Sequence, residues 1–76
     1  MKKAEYQGWV LFTSRSIDGR WWGWILNDTH DYVFCGQIPE STATGREAQQ
    51  FVWQVAQERR GVRAPGEPKW IDIPVS

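Results

Sequence analysis

Apolar and polar side chains alternate in several short stretches of this chain, and one later stretch repeats its apolar residues at helical spacing. Tyr6 to Ser14, YQGWVLFTS, is rich in aromatic and β-branched residues and predicts a first strand. Asp18-Gly19 follows as a hairpin signal. A two-residue type I′ turn there pairs Ile17 with Arg20 and sets Phe12 opposite Ile25, Leu11 opposite Leu26 and Thr13 opposite Trp24. The second strand runs over Trp21 to Leu26 and stops at the polar cluster Asn27 to Asp31, where a turn from Asp28 to Asp31 pairs Asn27 with Tyr32. A third strand covers Tyr32 to Ile38. Thr44-Gly45-Arg46-Glu47 fits a capping box, with Thr44 as N-cap, and opens a helix whose apolar stripe is Ala48, Phe51, Val52, Val55 and Ala56. Gly61 ends it, behind Arg59 and Arg60, whose charges suit a helix C-terminus. Lys69 to Val75 alternates again as a last strand, with Pro74 suiting an edge or a terminus.

The order β-β-β-α-β describes an α+β domain over residues 1–76: a four-stranded antiparallel sheet with one helix on one face. Alternation then sorts the side chains. Val10, Phe12, Ile25, Phe34, Ile38, Ile71, Ile73 and Val75 are expected under the helix, with Gly23 among them to let the helix come close. Trp9, Leu11, Thr13, Arg15, Trp22, Trp24, Leu26, Val33, Cys35 and Trp70 are expected on the opposite face.

Four of six tryptophans on one face would exceed the largest apolar patch of an ordinary monomer, about 300–600 Å². Such a patch implies a cover. The terminal segments and the Gly61 to Pro68 loop could fold over it, a second copy of the chain could bury it, or a foreign partner could. The candidate binding residues are therefore Trp9, Trp22, Trp24, Trp70 and Arg15, the last read as a cation–π brace or anchor against Trp22. Trp53 lies off the helical apolar stripe with Arg46 and Arg60 beside it, and is expected as an exposed hot spot or an edge tryptophan stacked by an arginine.

Charge narrows the partners. Nine basic and nine acidic side chains cancel, so no field gathers polyanions. Aromatic side chains on an open sheet are suited to stacking single-stranded bases, but Arg15 is the one cation on the expected face, with Arg20 and Lys69 near its rim. Catalysis is not expected: His30 falls in a turn and Cys35 on a strand, with no base, nucleophile and orienting group in reach of one another. Cys35 is expected as a buried small apolar residue. One cysteine and one histidine fall short of a zinc ligand set, and dispersed glycines form no phosphate loop, so neither metal nor cofactor is expected. A lone cysteine, no leader-like apolar run and no apolar stretch near the length of a membrane span favour a soluble cytoplasmic setting.

The stretch Asp18-Gly19-Arg20-Trp21-Trp22-Gly23-Trp24, followed by a polar turn, a strand and Thr44-Gly45-Arg46-Glu47-Ala48, resembles the YegP-like small repeat domains over about residues 9–57. That resemblance implies a β-β-β-α unit that tends to pair with another. The whole β-β-β-α-β order, with the return to Ile71-Asp72-Ile73-Pro74-Val75, is also similar to the toxin-binding domain of HicB-type antitoxins, though without their Pro-Asp-Leu-Pro-Gly type segment before the helix. It implies a small inhibitor that masks a ribonuclease partner. The reading that unites these observations is a non-enzymatic interaction module, a homodimer or a binder of another protein, with single-stranded nucleic-acid binding or enzyme inhibition as the alternatives.

Overall fold

The computed structural model describes residues 1–39, 41–61 and 66–74. Strands β1 (Lys2–Tyr6), β2 (Trp9–Arg15), β3 (Trp21–Leu26) and β4 (Tyr32–Gln37) precede helix α1 (Gly45–Arg60), and β5 (Trp70–Asp72) returns after it. All neighbours are antiparallel, in the order β4-β3-β2-β1-β5, and α1 packs across β2 and β3 on one face. The expected α+β architecture is present with one strand more, because the first expected strand, Tyr6 to Ser14, contains the turn of a further hairpin and continues as β2, with β1 before it. Tyr6 pairs with Trp9 around Gln7 and Gly8, whose φ values of 49° and 86° are both positive, as a two-residue type I′ turn requires.

The second hairpin sets the faces of the sheet. Its loop has three residues, Ile17, Asp18 and Gly19. Ser16 N–H donates to Arg20 O at 2.8 Å and Gly19 N–H to Ser16 O at 3.0 Å. Gly19 takes φ 85°, the left-handed residue that ends such a loop. Asp18 accepts from the Ser16 hydroxyl and from Arg20 N–H at 3.1 Å, and these hydrogen bonds, the Ser16 one foremost, hold its carboxyl below the ordinary carboxylate value.

One residue more in the loop moves the register by one. Leu11 therefore faces Ile25, Phe12 faces Trp24 and Thr13 faces Gly23, in place of the expected pairs. A one-residue slip carries a whole strand to the other face. Leu11 and Thr13 of β2 lie under the helix, while Val10 and Phe12 turn away from it.

The last strand is reversed in the same way. Trp70, opposite Ala4, joins the helix side, and Ile71, opposite Lys3, is 50% exposed on the other. β3 and β4 keep their expected faces, except that a bulge between Ile25 and Leu26 brings Val33 against the core. Val75 lies outside the described residues.

Ala4, Leu11, Ile25, Ile38, Ala48, Val52, Trp53 and Ala56 form the core. Thr44 caps α1, accepting from Glu47 N–H at 3.2 Å, and Gly61 closes it at φ 72° with bonds to the Gln57 and Glu58 carbonyls. Gly23 serves the close approach expected of it, since a Cβ there would lie 2.7 Å from Val52 Cγ2.

Candidate interaction sites

On the side of the sheet away from α1, the β-registers line up a row across five strands: Ile71, Lys3, Phe12, Trp24 and Cys35. Val10 and Leu26 form the next row with Glu5, and Trp22 lies between Ser14 and Gln37. Trp22 is 37% exposed, and Phe12, Trp24, Val10 and Leu26 are half-buried. Among the described elements, none lies over this face. The two charged side chains within its strands cancel, Lys3 Nζ lying 3.0 Å from Glu5 Oε1, and Arg20 and Lys69 follow at the rim, just outside β3 and β5. Cys35 is exposed here, contrary to the buried position expected of it, because β4 is an edge strand and its outer face has no covering layer.

The expected group of four tryptophans is thus divided. Trp22 and Trp24 stay on the open face. Trp9 and Trp70 pack against the core on the helix side, carried there by the slipped register of β2 and the reversed face of β5. Arg15 goes with Trp9. Its guanidinium lies 5.9 Å from the ring of Trp21, its cross-strand partner, rather than that of Trp22.

Trp53 is buried, not an exposed hot spot: 8% of it remains accessible. Its ring meets Tyr6 edge-on at 5.1 Å. The strand that supplies Tyr6 is the one the alternation pattern concealed. Arg60 closes the same corner, stacking at 5.2 Å over Tyr6 and 6.0 Å over Trp9 and donating to the Gln7 side chain. These contacts brace the β1–β2 turn against the end of α1.

A second feature lies between the N-terminal half of α1 and the β1–β5 edge. There a groove of about 490 Å³ brings together Arg46, Trp53 and Trp70, three of the residues singled out in the sequence for other reasons. Gln49 and Gln50 line its helix wall, and Glu67 and Pro68 the opposite one. Lys2 also reaches it, tied to Asp72 at 2.7 Å. That bond and the ammonium charge hold the Asp72 carboxyl below its ordinary value. Thr13, one strand further in, is buried with its hydroxyl unpartnered among the described groups.

Among the described residues, no three of His, Cys, Asp and Glu come together in a way that could hold a metal ion, and no helix is long and apolar enough to cross a membrane. His30 is exposed in the β3–β4 turn, which Asn27 organises by accepting from Thr29 N–H at 3.0 Å and Asp31 N–H at 2.9 Å. The chain matches no protein-family model, no curated protein and no solved structure.

Proposed function

We propose that this chain is a non-enzymatic interaction module that pairs with a second copy of itself through the open sheet face. The observation that carries the reading is the uncovered row Phe12–Trp24, flanked by Val10, Leu26, Trp22 and Ile71, on a sheet whose other face is packed by α1 across β2 and β3. Five strands about 4.8 Å apart and about six residues long at about 3.3 Å per residue span roughly 24 × 20 Å. That projected area, about 480 Å², is a little over half of the roughly 800 Å² per partner that a standard stable interface buries, the size of a weak, concentration-dependent contact.

Charge favours a second copy. A two-fold contact brings each patch onto itself, so a patch with net charge would repel its image. Lys3 and Glu5 neutralise each other, the remaining strand residues of the face are uncharged, and Arg20 and Lys69 lie only at its rim, Arg20 beside Asp18. The two sheets would stack about 10 Å apart as a sandwich, burying aromatic area with few charges to desolvate. Single-stranded nucleic acid would find bases to stack on Phe12 and Trp24, but its phosphates would meet Lys3, already engaged by Glu5, and at the rim Lys69 and Arg20, the latter 3.6 Å from Asp18. A lone exposed Cys35 beside this interface suits a reducing, cytoplasmic setting.

The test is isotope-filtered NMR on a mixture of labelled and unlabelled chains. The reading expects intermolecular NOEs joining Phe12, Trp24 and Leu26 of one copy to the same residues of the other. Intermolecular NOEs confined to α1 would place the interface elsewhere and defeat it.

A further inference from the structure

The groove beside α1 faces away from the open sheet and has a chemistry of its own. Its volume of about 490 Å³ is that of a small-molecule site. Two indoles, Trp53 and Trp70, supply aromatic surface, and Gln49 and Gln50 supply amide donors and acceptors that hold no side-chain partner among the described residues.

The charges are specific. Lys2 is neutralised by Asp72 at 2.7 Å. Arg46 makes no ion pair among the described residues, and it sits in the first turn of α1, where the helix dipole disfavours a cation. A carboxylate in the groove would pair with its guanidinium in a two-pronged hydrogen bond, with the helix dipole adding to the attraction. Glu67 also lines the groove and opposes any anion there, so the balance with Arg46 favours one negative charge over two.

We propose that this groove binds a planar aromatic monoanion, with the carboxylate on Arg46 and the ring against Trp70 and the exposed edge of Trp53. The site is independent of self-association, since no residue of the groove belongs to the open face.

The probe is 2-naphthoate, titrated while the six indole N–H cross-peaks of the ¹⁵N-labelled chain are followed. Saturable shifts are expected at Trp53 and Trp70, with Trp22 and Trp24 unmoved. Arg46 is exposed, so Arg46→Gln leaves the fold intact. That variant and the neutral analogue 2-naphthamide should each weaken binding by about tenfold, the loss expected for one charge-assisted contact. Absence of saturable shifts in the millimolar range would overturn the proposal. So would shifts confined to Trp22 and Trp24, or an affinity unchanged by Arg46→Gln.

Discussion

Leu11 stands directly opposite Ile25 across β2 and β3, and both are sealed from solvent. This pairing decides the surface of the protein. Had Leu11 met Leu26, as a two-residue turn at Asp18-Gly19 would dictate, Trp9 would lie on the open face and Phe12 beneath the helix. Ile17 is the extra residue, fully exposed at the loop tip. Deleting it leaves Asp18-Gly19 as a two-residue turn between Ser16 and Arg20, a pair the structure already contains. The deletion should therefore keep Leu11 opposite Ile25 and change stability by no more than about 1 kcal/mol, within the range of surface changes. Amide cross-peaks of β2 and β3 that move throughout would show a changed register.

Gly23 and Gly36 are cross-strand neighbours with opposite tolerance. A Cβ at Gly23 would lie 2.7 Å from Val52 Cγ2 and 3.4 Å from Ile38 Cδ1, whereas one at Gly36 meets nothing within 4 Å. Gly23→Ala should cost about 1–3 kcal/mol through overpacking. Gly36→Ala should be neutral or slightly stabilising, because it removes backbone freedom from the unfolded chain. Urea unfolding of the two variants checks the contrast.

Trp53→Ala should destabilise the fold by about 3–5 kcal/mol, the cost of emptying an aromatic site in a core. An exposed hot spot would cost almost nothing when truncated in the free protein. Thermal unfolding followed by far-UV circular dichroism distinguishes these outcomes.

Thr13 carries a buried hydroxyl with no partner among the described groups. Thr13→Val replaces it with a methyl of similar shape and relieves the desolvation cost of the hydroxyl, so the variant should gain about 1 kcal/mol. A loss of that size in urea unfolding would mean that the hydroxyl is hydrogen-bonded in solution.

Asp72 is held below its ordinary carboxylate value by Lys2, through a hydrogen bond first and charge second. A depressed folded-state value stabilises the fold above the unfolded-state value of 3.8 and ceases to do so as pH falls through the folded one. Asp72→Asn should therefore flatten the stability profile below about pH 4, with a small amplitude because the pair is exposed. An unaltered acid limb in the variant would assign it to other carboxylates.

Local signals carried the helix. Thr44, Glu47 and Gly61 are read from nearest neighbours; Thr44 caps and Gly61 closes the helix as their types and spacing dictate, whereas the Glu47 carboxylate accepts from the Thr44 hydroxyl at 3.3 Å in place of the Thr44 backbone N–H of a full capping box. The strands of the second and third hairpin arms are legible for the same reason. Sheet registers depend on loop length, and Ser16-Ile17-Asp18-Gly19-Arg20 is compatible with either two or three loop residues. That ambiguity moved Trp9 and Arg15 off the open face.

β1 was hidden differently. Lys2, Lys3 and Glu5 leave only Ala4 and Tyr6 as its inward apolar residues, and Gln7-Gly8 is a weaker turn signal than Asn-Gly or Asp-Gly. Without that strand the side of α1 bearing Trp53 had nothing to pack on. The groove of Arg46, Trp53 and Trp70 was out of reach for the same reason, since its floor depends on β1 and β5 lying side by side.

Sedimentation equilibrium of the chain and of Trp22→Glu weighs the open face most directly. Trp22 is on that face and exposed, so a carboxylate there leaves the core intact while placing like charges across a two-fold contact. The chain has a mass of 8.9 kDa. Its apparent mass should rise with concentration toward 17.8 kDa, twice 8.9, while the variant stays at 8.9 kDa with an unchanged circular dichroism spectrum. A chain that remains at 8.9 kDa up to millimolar concentration, or a variant that associates as the parent does, would contradict self-association through this face.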